Sequence, residues 1–80
     1  MFTVRITEVE AHENGQYSNV IREYTHRSPK VAYARATEWG WWKWCSVKKT
    51  GYITPYGGTP IARQMVFKNN GRITSSEWEF

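Results

Sequence analysis

The sequence predicts an α+β domain in which one helix covers one face of a mostly antiparallel sheet, with the element order ββαβββ. Two Asn-Gly pairs, Asn14-Gly15 and Asn70-Gly71, each lie between segments of strand-like composition, and this dipeptide is the strongest short-range signal for a hairpin. Between them, Ser28-Pro29 followed by three alanines is typical of a helix start. The 80 residues are expected to form a single domain, 1–80.

Apolar and polar side chains alternate at the start of the chain, which predicts a half-buried strand. Apolar residues occupy positions 2, 4 and 6, with Thr or Arg between them. A three-residue loop at 14–16 sets Ile6 opposite Tyr24. The same loop sets Glu8 opposite Arg22, so apolar and oppositely charged pairs both come into register. Because a two-residue loop sets Ile6 against Glu23, we expect the longer, bulged turn.

The helix is predicted to begin at Pro29, with Ser28 as its N-cap. Ala32, Ala36 and Trp39 then share one face, at spacings of four and three residues. Alanines on that face let the helix lie close to the sheet. Gly40 suits a left-handed cap that ends the helix after Trp39.

The aromatic run after the helix is predicted to form a strand near 41–49. Successive side chains of a strand point to opposite faces, so Trp42, Trp44 and Lys48 share one face. Trp41 and Lys43 lie on the other face, together with the only cysteine of the chain. Residues 50–60 contain three glycines and two prolines, which predicts a loop.

A second hairpin is predicted from 61–68 and 72–80, joined by a two-residue turn at Asn70-Gly71. This register sets Arg63 opposite Trp78 and Phe67 opposite Thr74, which places the large side chains on one face. A cation–π contact between Arg63 and Trp78 would contribute roughly 0.5–1 kcal/mol if it is exposed.

The positive charge is concentrated in the middle of the chain. The net charge is +4, but residues 27–68 carry eight Lys and Arg against Glu38 alone, a local charge of +7. This block contains four of the five tryptophans. Such a field attracts phosphate or an acidic protein surface. The alternative is that the lysines only keep a hydrophobic domain soluble.

The sequence offers few candidates for catalysis, which needs a nucleophile with a base, a carboxylate pair or a metal cluster. There is no Asp, and the two histidines fall at opposite ends of the first hairpin. Cys45 and His26 could lie at the same end of the sheet, but no third residue orients them, and a small buried thiol is the alternative. Cys or His pairs at metal-ligand spacing are absent. We therefore expect a non-enzymatic protein with no cofactor.

The cellular setting is expected to be the cytoplasm. Cys45 has no second cysteine with which to form an intrachain disulfide. The first residues lack the basic region and apolar run of a signal peptide, and no stretch reaches the roughly 18 apolar residues of a membrane span.

Binding is better supported than catalysis. Trp42, Trp44 and Lys48 would combine base stacking with a backbone contact, which is how single-stranded nucleic acid is held. Tryptophan is equally enriched at protein–protein hot spots, and a third possibility is that the tryptophans line a shallow core. Composition leaves these alternatives open.

Two segments are similar to parts of a known group. One is Ser28-Pro29-Lys30-Val31-Ala32 at the helix start. The other runs from Ala62 to Ile73, where Met65 to Arg72 resembles a basic closing hairpin. In these segments the chain resembles the small phage-encoded anti-CRISPR proteins that inhibit type I effector complexes. The resemblance covers roughly half of the chain. It implies a stoichiometric inhibitor that docks a surface on a protein or ribonucleoprotein complex in the host cytoplasm.

The candidate contacts are the basic and tryptophan side chains of the central block. They are Trp42, Trp44, Lys43, Lys48, Lys49, Arg63 and Lys68. The alternative function is a free-standing module that binds single-stranded nucleic acid. The oligomeric state does not follow from the sequence.

Overall fold

The computed structural model describes residues 1–38, 54 and 56–80, which form a four-stranded antiparallel sheet and one helix. The elements are β1 (Phe2–His12), β2 (Gly15–His26), α1 (Pro29–Thr37), β3 (Thr59–Asn69) and β4 (Arg72–Glu79). The strand order across the sheet is β2-β1-β3-β4. The predicted α+β class with one helix and an antiparallel sheet is confirmed.

The element order among the described residues is ββαββ. The additional strand predicted near 41–49 lies outside the described residues, as do Trp39 and Gly40. Of the predicted loop 50–60, the structure describes 54 and 56–60, and β3 begins within it at Thr59. No helix in the described part of the chain is long and apolar enough to cross a membrane.

The register of the first hairpin differs from both of the registers considered. The turn lies at 13–14, so that His12 pairs with Gly15, and a bulge next to Ile6 then shifts the pairing by one residue. Without the bulge, this short turn would set Glu23 beside Val4. With it, Tyr24 lies beside Val4 and Glu23 turns to the opposite face. The prediction of a three-residue loop is therefore wrong. A bulge inside the hairpin, rather than a longer turn, shifts the register by one residue.

The second hairpin has the predicted two-residue turn and a register that changes within the strands. Asn70 and Gly71 have φ values of 51° and 82°, the positive pair that a type I′ turn requires. A bulge at Thr74, whose hydroxyl donates to the Phe67 carbonyl at 3.2 Å, then shifts the pairing. Glu79 lies opposite Arg63, and Ser75 opposite Phe67. The predicted pairs of Arg63 with Trp78 and of Phe67 with Thr74 are wrong.

Helix α1 begins as predicted. Its N-cap is Ser28, whose Oγ accepts from the Val31 N–H at 3.4 Å, and Pro29 occupies the first turn. At the other end, the Arg22 guanidinium of β2 donates two hydrogen bonds, of 3.1 and 3.2 Å, to the Arg35 carbonyl. This arrangement satisfies a carbonyl of the last turn, which has no partner inside a helix.

The core lies between α1 and the sheet. Ala32 and Ala36 are fully buried against β1 and β2, as predicted for a small-residue face. They pack with Val4, Ile6 and Met65. The even-numbered residues of β1 and the odd-numbered residues of β3 from position 63 on point toward the helix. We call this the helix-side face, and the opposite surface of the sheet the open face.

Candidate binding face

A shallow groove of about 550 Å³ crosses all four strands at one end of the open face. Its floor is apolar because Val9 of β1 pairs with the small residue Ala62 of β3. Residues from both outer strands complete it, so that the described lining is Val9, Gln16, Ser18, Ile61, Ala62, Trp78 and Phe80. We call this feature the open-face groove.

Two aromatic side chains form one wall of the groove and remain exposed. Trp78 and Phe80 are two residues apart in the chain, so they project from the same face. Their rings stack with centroids 5.9 Å apart and an interplanar angle of 14°. They are 50% and 69% exposed. Large aromatic rings at this exposure offer a preformed contact surface, because stacking restricts both side chains before a partner arrives.

Charge on the open face lies away from the groove. Arg5 of β1 is neutralised by Glu23 of β2, with its Nε 2.6 Å from Oε2. Lys68, a predicted contact, pairs in register with Ile73 near the turn that joins β3 and β4. The groove lies at the other end of these strands. Contact at the groove is therefore dominated by apolar and aromatic atoms.

Arg63, another predicted contact, lies in the interior. Its side chain is 2% exposed, and its Nε is 3.0 Å from Oε2 of Glu8, which is fully buried. A guanidinium buried in this way is not presented to a partner, which is at odds with the proposal that it forms a surface contact. The sequence contained the relevant signal. Glu8 continues the even-numbered series of Val4 and Ile6 and so belongs to the buried face of β1.

A second buried carboxylate organises the segment before β3. Glu10 accepts hydrogen bonds from His12 Nε2 at 2.6 Å, from Asn19 Nδ2 at 2.9 Å and from the Gly58 N–H at 3.3 Å. Burial raises the pKa of Glu10, but the bonds from His12, the Gly58 and Tyr56 backbone and Thr54 outweigh it, so its pKa lies below the ordinary value of 4.5. The ionised carboxylate thus joins Thr54, Tyr56 and Gly58 to both strands of the first hairpin.

Gly58 is required by this arrangement. A Cβ at that position would lie 2.5 Å from Nε2 of His12 and 2.9 Å from the Ala11 carbonyl. Beside the cluster is a cleft of about 360 Å³, lined by His12, Tyr17, Ser18, Asn19 and Tyr56. Protein donors occupy both Glu10 oxygens, so the carboxylate helps to hold the fold together.

The five remaining predicted contacts lie outside the described residues. They are Trp42, Lys43, Trp44, Lys48 and Lys49. Within the described ranges, no group of three or more His, Cys, Asp or Glu could hold a metal ion.

Sequence reasoning missed the groove because it placed the large side chains of the second hairpin on one face. In the structure, Met65 and Phe67 face the helix side, whereas Trp78 and Phe80 face the open side. The one-residue bulge at Thr74 separates the two sets. The period-two spacing of Trp78 and Phe80 was the available signal that they share a face.

Comparisons of the chain with models of known families, with curated proteins and with solved structures find no match. The resemblance to anti-CRISPR proteins stays a prediction.

Proposed function

We propose that this domain is a non-enzymatic binding protein, a small inhibitor of the anti-CRISPR kind, that docks on a protein surface of a protein or ribonucleoprotein complex. The observation that carries the proposal is the stacked, exposed pair Trp78 and Phe80 beside the apolar open-face groove. Tryptophan is among the residues that most often carry the binding energy of protein interfaces, and exposed apolar patches mark docking sites.

The charges of the described residues favour an apolar contact over an electrostatic one. Three arginines are each neutralised by a glutamate of the fold: Arg5 by Glu23, Arg22 by Glu38 and Arg63 by Glu8. Partnered charges contribute little to a long-range field. The aromatic groove is therefore a better candidate for the main contact with a partner than the basic side chains of the described surface.

The rival function is binding of single-stranded nucleic acid. Aromatic rings on a sheet face are also the platforms on which bases stack, at about 1–3 kcal/mol per base. Trp78 and Phe80 would supply that platform, and Lys68 lies on the same face. The two functions differ in salt dependence, because each neutralised phosphate adds a slope of about −0.7 for single strands.

The test uses purified type I effector complex and, separately, a fluorescent oligothymidine. Wild-type domain is expected to bind the complex and to prevent its loading onto target DNA. The variant Trp78→Ala with Phe80→Ala should lose about 30- to 1,000-fold in affinity, since truncating the two interface anchors is expected to cost about 2–4 kcal/mol. The control is Tyr56→Ala, which removes an exposed aromatic ring from outside the groove and should leave binding unchanged.

Three outcomes separate the possibilities. If the double variant and Tyr56→Ala lose the same affinity for the complex, the groove is not the specific contact. Binding to the oligothymidine that falls steeply between 50 and 200 mM salt, without binding to the complex, would establish the rival function. Retained binding of the complex by the double variant, with its fold intact by circular dichroism, would refute docking through Trp78 and Phe80.

A further inference from the structure

Strand β4 is an outer strand of the sheet that the described residues form. It pairs with β3 on one side, and no strand among the described residues pairs with the other side. Every residue from 72 to 78 is exposed. The unpaired N–H and C=O groups of such an edge are a template for another strand.

The side chains of β4 are arranged so that the strand complements itself. The bulge at Thr74 brings Arg72 and Glu79, seven residues apart, to the same face of the sheet, because Arg72 pairs with Asn69 and Glu79 with Arg63. In a regular strand an odd separation would put them on opposite faces. The same bulge brings Ile73 and Trp78 together on the open face.

We propose that β4 pairs antiparallel with β4 of a second copy of this chain, about a twofold axis at Ser76. The two four-stranded sheets then become one continuous sheet. Glu77 then lies opposite Ser75 of the second copy. Beyond that pair the bulged residue Thr74 is passed over, so that Ile73 lies opposite Trp78 of the second copy and Arg72 lies opposite Glu79 of the second copy. Because the interface is isologous, each of these contacts occurs twice.

Repulsion between like charges disfavours registers that are shifted toward the end of β4 at Glu79. Moving the axis by one residue, to Glu77, sets that carboxylate opposite its own copy, and moving it to Trp78 sets Glu77 opposite Glu79. Like charges directly opposite each other are destabilising. The register centred on Ser76 has no such pair, since Glu77 faces Ser75.

One exposed side chain of the isolated chain fits this pairing. Ile73 is 67% exposed, and the Trp78 ring of the second copy would cover it across the interface.

Sedimentation equilibrium on the wild-type chain tests the proposal directly. We expect a species of twice the 9.4 kDa monomer mass at tens of micromolar. Arg72→Glu alone, or Glu79→Arg alone, replaces two opposite-charge contacts by two like-charge contacts and should weaken the dimer by about 10- to 100-fold. Arg27→Glu changes the charge by the same amount at an exposed site outside β4 and should not alter the mass.

Mixing the two single variants makes the test independent of folding defects. In a heterodimer of Arg72→Glu with Glu79→Arg, both contacts again join a carboxylate and a guanidinium. The equimolar mixture should therefore recover dimer mass that neither variant shows alone.

A wild-type chain that stays monomeric up to 1 mM would overturn the proposal. So would a dimer that neither single variant weakens, since that dimer must use another surface, or a mixture that associates no better than its components. None of these variants alters a residue of the open-face groove, so failure here leaves the docking proposal standing.

Discussion

Replacing Arg63 with Met is expected to destabilise the domain far more than the same change at an exposed ion pair. The Arg63 and Glu8 side chains are 2% and 0% exposed, with 3.0 Å between Nε and Oε2. Removing one partner of a buried pair costs about 3–5 kcal/mol, because a charge stays behind in a poorly solvated interior. A domain of 80 residues has a total stability of about 4–12 kcal/mol, so this loss is a large part of it.

Urea denaturation followed by circular dichroism measures this effect. With a slope of about 1–3 kcal/mol per molar urea, the midpoint should fall by about 2 M. Arg5→Met is the matched control. Its Nε lies only 2.6 Å from Glu23, but the two side chains are 34% and 42% exposed, and such pairs contribute about 0.2–1 kcal/mol.

The comparison separates burial from distance as the cause. If distance governed the energy, the shorter Arg5 pair would show the larger loss. If Arg63→Met and Arg5→Met lower the free energy of unfolding by the same amount, burial does not govern the contribution of these ion pairs. Adding Glu8→Met to Arg63→Met removes both charges, and the double variant should lose less than the sum of the two single losses.

Three further changes test the helix and the Glu10 cluster. Glu10→Gln should lower the melting temperature at pH 7. Because the pKa of Glu10 is lowered in the fold, its contribution is present above pH 4.5 and disappears as the pH falls through the lowered pKa. The difference in melting temperature between wild type and Glu10→Gln should therefore become smaller in acid. A difference that stays constant down to pH 3 would contradict this. Glu13→Gln, at an exposed turn residue, is the control. Ala36→Leu should cost about 1–3 kcal/mol by overpacking the helix–sheet interface, whereas Ala34→Leu, on the exposed side, should cost under 0.5 kcal/mol, both measured by urea titration. Ser28→Ala should cost about 1 kcal/mol through loss of the N-cap, and an unchanged urea midpoint would show that the 3.4 Å bond to Val31 contributes nothing.

The helix and both hairpins were predictable because their signals are short. Ser28 and Pro29 act within one turn of helix, and Asn70-Gly71 meets the positive φ values of its turn without help from the rest of the chain. The small face of Ala32 and Ala36 also followed from spacing alone.

Pairing registers and faces were not predictable, because each bulge adds one residue and moves all later side chains to the other face. Tyr24 lies beside Val4, rather than Glu23, because a bulge corrects a turn shorter than expected. Arg63 is internal because Glu8 lies beside it from a strand 55 residues distant in sequence.

Local chemistry along the chain was thus sufficient for the start of the helix and for the existence of the two hairpins. Long-range packing settled which side chains meet. It placed Trp78 and Phe80 on the open face, brought Arg72 and Glu79 of β4 to one face and buried Glu8 and Glu10. The physical reason is that the free energy of a side chain depends on its neighbours in space. In a bulged sheet, a single inserted residue determines which side chains are adjacent.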